Sequence, residues 1–172
     1  MENNDLFHHF RALSFPKEAI GLEWNHSDVK YFCTPVGAEI IGWLGSDGIH
    51  FCFIPLLSSD MVFTVSPMPC GEHYVEPIAH SFQEFLSLVL SCKDASPLEQ
   101  ICWMDEENFL ALLESEENSW LEKDVVLNIL REEFGIKAQS NVYQYVKNLQ
   151  VDFDYLTISF SEEYYDTLGI EK

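Results

Sequence analysis

Cysteine and histidine are the residues here best suited to chemistry, and two pairs of them stand at suggestive spacings. Cys70 and His73 are three apart in a loop that contains Gly71, and His50 and Cys52 are two apart. A spacing of two places both side chains on one face of an extended strand. Four such soft or borderline ligands would suit a tetrahedral zinc ion. Neither pair is a specific signature, because Cys33, Cys52, Cys70, Cys92 and Cys102 are scattered and include no Cys-x-x-Cys. Reduced thiols, several of them acting as small core hydrophobes, are the first expectation for these five cysteines. The alternatives are a small metal-dependent or thiol enzyme using Cys70 and His73, and a structural or regulatory protein without a tight partner, whose charge serves solubility. The favoured reading expects neither a metal nor another cofactor.

Other reaction machinery is weaker still. No Gly-x-Ser-x-Gly elbow and no cysteine-protease signature is present. Gly42, Gly45 and Gly48 lack the lysine and the following helix of a phosphate-binding loop. Adjacent carboxylates at 106–107, 116–117, 132–133 and 162–163 are too common in so acidic a chain to mark an acid–base pair, and read as solvated helix faces. No catalytic residue is assigned.

Charge is more informative than motif. Nine Lys and Arg face 29 Asp and Glu, a formal net charge of −20. Such a surface repels nucleic acid and anionic lipid, and it attracts basic proteins. Ten acidic residues lie between Asp105 and Glu133, against Lys123 and Arg131. Asp105, Glu106 and Glu107 suit a first helical turn, where the macrodipole favours negative charge. Glu114, Glu116 and Glu117 fall between helices and are the expected contact surface for a basic partner. Trp103 or Trp120 would anchor such a contact if exposed, although burial is the commoner fate of the indole ring. No apolar run approaches the roughly 20 residues of a membrane span. The start of the chain (Met1, Glu2, Asn3, Asn4, Asp5) is the reverse of a secretory leader, so a cytoplasmic protein is expected.

The elements that must position these residues follow from periodicity. Residues 5–13 suit a short helix with Leu6, Phe10 and Leu13 on one face, ending before Pro16. Segments 29–33, 39–44, 49–54 and 61–65 are rich in β-branched and aromatic residues and read as strands. Turns are expected at Ser46-Asp47-Gly48 and at 57–60, which makes an antiparallel meander. Pro67, Pro69 and Gly71 break the pattern, and residues 74–78 are expected as a loop. Ser81 and Glu84 have capping-box spacing ahead of Phe82, Phe85, Leu86, Val89 and Leu90, one apolar helical stripe. Ser96 and Glu99 repeat that spacing, with Pro97 at the first helical position. Further helices are expected from Asp105, with Phe109, Leu112 and Leu113 inward, from Ser119 to Gly135, and from Ser140, with Val142, Tyr145, Val146 and Leu149 on one face. Leu156, Ile158 and Phe160 alternate like a short strand, followed by an acidic tail. Strands first and helices afterwards is an α+β pattern. The expected division is an α+β core over 1–115 and a mainly helical extension over 116–172, packed on that core.

The stretch 49–86 resembles the SUKH superfamily, carried by residues 49–54, 60–65 and 76–86. Members similarly have a strand, a turn ending in Gly-Asp, a second strand and an Ile-Ala-x-Ser-Phe-x-x-Phe-Leu-like helix entry. Here Ser58, Ser59 and Asp60 stand where glycines usually precede the aspartate. The superfamily groups bacterial immunity proteins against secreted toxins, especially nucleases, with a fungal cell-wall-assembly regulator. The resemblance implies a non-enzymatic scaffold that binds proteins, with no catalytic residue to carry over. A basic toxin such as a nuclease would then be the partner.

Overall fold

A computed structural model describes residues 3–24, 30–45, 47–115 and 121–172, with side chains from Asp5 onward. Among these residues the apolar, β-branched segments form one antiparallel sheet of four strands. These are β1 (Glu39–Trp43), β2 (His50–Ile54), β3 (Ser58–Cys70) and β4 (His73–Ala79), adjacent in chain order. The helices are α1 (Asn3–Ala12), α2 (Phe82–Cys92), α3 (Ser96–Gln100), α4 (Glu106–Ser115), α5 (Leu121–Glu132), α6 (Val142–Asp152) and α7 (Glu162–Leu168). Short 3₁₀ turns occupy Lys17–Ile20, Ile101–Trp103 and Tyr155–Thr157. The fold is α+β.

The hairpin between β1 and β2 turns at Asp47 (φ 58°) and Gly48 (φ 73°), the left-handed pair that a type I′ turn demands. The Tyr31 ring lies where a Cβ on Gly48 would stand. Ser46 lies outside the described residues. The next turn falls at 55–57, where Leu57 N–H donates to Ile54 O at 2.9 Å, so Ser58, Ser59 and Asp60 already belong to β3.

The expected strand over 29–33 does not form: residues 30–33 run into a turn, and Val29 lies outside the described residues. This segment instead sends Cys33 and Phe32 against the sheet. The prolines do not end the sheet either. β3 runs through Pro67 and Pro69 to Cys70, because its pairing with β2 already stops at Val65, opposite His50. Past that point a missing N–H costs no ladder bond on that side. Residues 73–79 are likewise a strand and not a loop, with Pro77 tolerated because β4 is an edge.

Both faces of the sheet are covered. On one face Ile41, Phe51, Phe53, Val62 and Ile78 meet Phe7 and Phe10 of α1 and Phe82, Phe85, Leu86 and Val89 of α2. Val126 and Leu130 of α5 and Val146 of α6 join the same cluster, so helices from beyond residue 115 share this core. The Phe7 ring meets Phe53 at 5.1 Å and Phe82 at 5.2 Å, both edge-on, the geometry the aromatic quadrupole favours. On the other face Cys52, Ile54, Phe63, Val65 and Val75 are covered by Cys33, Ala38, Phe153, Ile158, Phe160 and Tyr164. Double coverage explains why all five residues of β2 are buried.

Caps follow the sequence in part. Ser81 Oγ accepts from Glu84 N–H at 3.2 Å and starts α2 as expected. Ser96 does not cap α3. Asp94 Oδ1 accepts from Ser96 N–H at 2.9 Å and from its hydroxyl at 2.8 Å, and Glu99 is buried. The expected helix from Ser119 is described from Leu121 onward, and the one from Ser140 begins at Val142 after Asn141, at φ 56°. The strand expected at Leu156, Ile158 and Phe160 is a 3₁₀ turn followed by irregular chain, because Leu156, 96% exposed, has no surface to pack on. The acidic end folds as α7, whose Tyr164 stacks on Phe160 at 4.0 Å.

Candidate functional site

The helix-facing side of β3 turns polar toward its end. A period of two puts Val62, Thr64, Ser66, Met68 and Cys70 in one row, and Glu76 of β4 stands opposite Thr64. Facing this row are Glu99 of α3 with Cys102 and Trp103 of the following 3₁₀ turn. They enclose a narrow slot of about 10 Å³, roughly one water in size.

Two carboxyls are buried around this slot, Glu76 at 6% and Glu99 at 3% exposure. Tyr155 Oη donates to Glu76 Oε2 at 2.5 Å, and the Tyr155 ring stacks on His73 at 3.7 Å between centroids. Burial lifts the Glu76 carboxyl to about 7, although the Tyr155 hydrogen bond and the Lys147 charge both pull it down. Burial also raises Glu99, which accepts from Trp103 Nε1 at 3.1 Å and from the Gln100 side-chain amide. Cys70 and Cys102 both line the slot, and burial pushes both thiols up. Thr64 Oγ1 and, nearby on α6, Gln150 Nε2 are buried without a hydrogen-bond partner among the described residues. Buried polar groups of this kind beside shifted carboxyls make the slot a candidate site.

The expected metal residues do not converge. His50 lies on the opposite side of the sheet from Thr64, with Nδ1–H donating to Gly48 O at 2.9 Å and Nε2 accepting from the Thr34 hydroxyl at 3.3 Å. Burial pushes the imidazole down, so it stays neutral within those two bonds. Cys52 is buried beside Cys33, with its thiol pushed up and that of Cys33 raised to about 11. Cys70 and His73 pair across the β3–β4 turn, yet Cys70 meets Cys102 while His73 stacks on Tyr155. Among the described residues no group of three or more His, Cys, Asp or Glu is arranged to hold a metal ion. A raised thiol is also the reverse of an activated nucleophile.

Glu76, Glu99 and Cys102 of the slot, and Tyr155 bonded to Glu76 beside it, are residues that sequence reasoning passed over as a site. Glu76 carried a signal, a carboxyl set among Val75, Pro77 and Ile78 in an otherwise apolar run. Glu99 was concealed by its capping-box spacing.

The acidic contact residues have a different setting. Glu114 is exposed near the end of α4, whereas Glu116, Glu117 and Trp120 lie outside the described residues. Asp105 Oδ1 caps α4 by accepting from Asn108 N–H at 2.9 Å. Glu106 accepts from Gln144 of α6 at 2.9 Å. An open cleft of about 330 Å³ lies between the 3₁₀ turn Lys17–Ile20 and α5, lined by Glu18, Ala19, Asp94, Glu122 and Lys123. Lys123 Nζ is held by Asp94 Oδ2 at 2.7 Å. Leu121 and Val125, one helical turn apart on α5, are both exposed.

No helix among the described residues is long and apolar enough to cross a membrane. Comparison of the chain with models of known protein families, with curated proteins and with solved structures found no match.

Proposed function

We propose that this chain is a non-enzymatic module that binds a basic protein through the cleft between Lys17–Ile20 and α5. The observation that carries the reading is the composition of that cleft. Glu18 and Glu122 are on its walls, and its one lysine is already engaged by Asp94. A lysine or arginine side chain entering there would meet the Glu18 and Glu122 carboxylates. The exposed Leu121 and Val125 supply apolar contact beside them. A net charge of −20 steers a basic partner from a distance and speeds encounter. The resemblance of residues 49–86 to the SUKH superfamily supports the same class of function, and it makes a secreted basic toxin, such as a nuclease, the preferred partner. In this reading the protein acts in the cytoplasm, where its five free cysteines are reduced under ordinary conditions.

The test is co-purification from the native cell at low ionic strength, followed by affinity measurement over a salt series with the recovered partner. A basic partner should bind less tightly as salt rises, and Glu18→Lys with Glu122→Lys should weaken binding at least tenfold. An unchanged affinity in the double variant, or binding indifferent to salt, would sink the proposal. Co-expression with the same partner then separates immunity from plain binding, because only immunity protects the cell.

A further inference from the structure

We propose that Cys70 and Cys102 are a redox pair that closes to a disulfide on exposure to a small-molecule disulfide of the oxidised-glutathione class. This site is separate from the acidic cleft and does not depend on the binding reading.

Three observations carry it. Cys70 ends β3 and Cys102 lies in the 3₁₀ turn Ile101–Trp103, yet the fold brings their side chains near enough for each thiol to act on the other's charge. Both line the slot described above. Of the five cysteines, these two are partly exposed, while Cys33, Cys52 and Cys92 are buried. Access and proximity therefore select the same pair. The rim of the slot includes Met68, 65% exposed, and Trp103, 44% exposed, so a peptide-sized oxidant has an apolar surface to settle on. Two thiols on the walls of one water-sized slot lie within reach of the S–S bonding distance of about 2 Å.

The exchange balances in two steps. Cys70 loses its proton to solvent, and its thiolate attacks one sulfur of oxidised glutathione. One glutathione leaves as thiolate, and Cys70 carries the other as a mixed disulfide. Cys102, whose thiol donates to Glu99 O at 3.5 Å, then loses its proton and attacks the Cys70 sulfur, expelling the second glutathione. Two protein thiols are oxidised and one small disulfide is reduced to two thiols. Thiolates are scarce here because burial favours the neutral thiol, so the pair responds slowly to a sustained oxidising shift instead of cycling as a catalyst. Closure would tie the β3–β4 hairpin to the turn after α3 and fix the rim residues Met68 and Trp103.

Incubation of the full chain with excess oxidised glutathione, quenching with N-ethylmaleimide and peptide mapping tests the proposal. The expected product has lost two hydrogens, joins the Cys70 and Cys102 peptides, and reverts with dithiothreitol. Its urea midpoint should lie above that of the reduced protein. Cys102→Ser should stop at one glutathione on Cys70. Glutathione on both cysteines without a cross-link, a cross-link through any buried cysteine, or no reaction would overturn it. If Cys102→Ser does not fold, the wild-type peptide map decides by itself.

Discussion

Replacing Glu76 with glutamine should remove a pH dependence of stability that the buried carboxyl imposes. Glu76 sits on β4 at 6% exposure, and its carboxyl is raised from 4.5 to about 7, chiefly by burial. The folded state therefore holds this proton more tightly than the unfolded chain does. Its contribution is complete below about 4.5, is lost as pH rises to about 7, and is flat beyond. At about 1.4 kcal/mol for each pH unit between the two values, the loss is roughly 3 kcal/mol. Glutamine keeps an oxygen that can accept from Tyr155 Oη, but it has no proton to lose. Urea unfolding followed by circular dichroism, from about pH 4.5 to about pH 8, would give both stability curves. The Glu76→Gln variant should gain on wild type steadily across that window, by roughly 3 kcal/mol at the alkaline end. His50, with its depressed value, slopes the opposite way at low pH, and Glu99 slopes with Glu76. Both are present in each protein, so the difference between the curves isolates Glu76. Two parallel curves would show that the Glu76 carboxyl is not held neutral by burial, and the account of the slot would fail with it.

Other substitutions test the frame around the slot. Ser81→Ala removes the hydroxyl that accepts from Glu84 N–H at 3.2 Å, and should lower unfolding free energy by about 1 kcal/mol in urea titration. Phe82→Ala opens the core where the Phe7, Phe10, Phe53 and Phe85 rings meet, and should cost about 3–5 kcal/mol. A loss below about 1 kcal/mol would mean that this aromatic cluster is not close-packed. Gly48→Ala forces a Cβ against Tyr31 at φ 73°, whereas Gly71→Ala, at φ 60°, meets nothing within 4 Å among the described residues. Thermal melts should show the larger loss for Gly48→Ala, since both share the backbone strain but one adds a clash.

The sequence by itself determined the local elements and the electrostatic character. The Phe82-to-Leu90 stripe, the Ser81 cap, the Asp47-Gly48 turn and the apolar runs of β1, β2 and the middle of β3 are local patterns, set by neighbours within a few positions. The surplus of carboxylates needs no fold to be counted. Tertiary structure decided which lone residues meet. Prolines 67, 69 and 77 were misread because strand propensity does not reveal which stretches lack a ladder partner. The second covering layer, built from residues 32–38 and 153–164, carries no clear period, since irregular chain packs by contact and not by repeat. Cys70 and His73 looked like partners because they are close in sequence. Folding instead gives Cys70 to Cys102 and His73 to Tyr155. Glu76 acquires its raised carboxyl only when α6 and the 3₁₀ turn at Tyr155–Thr157 close over β4, because desolvation is a property of the packed surroundings and not of the residue.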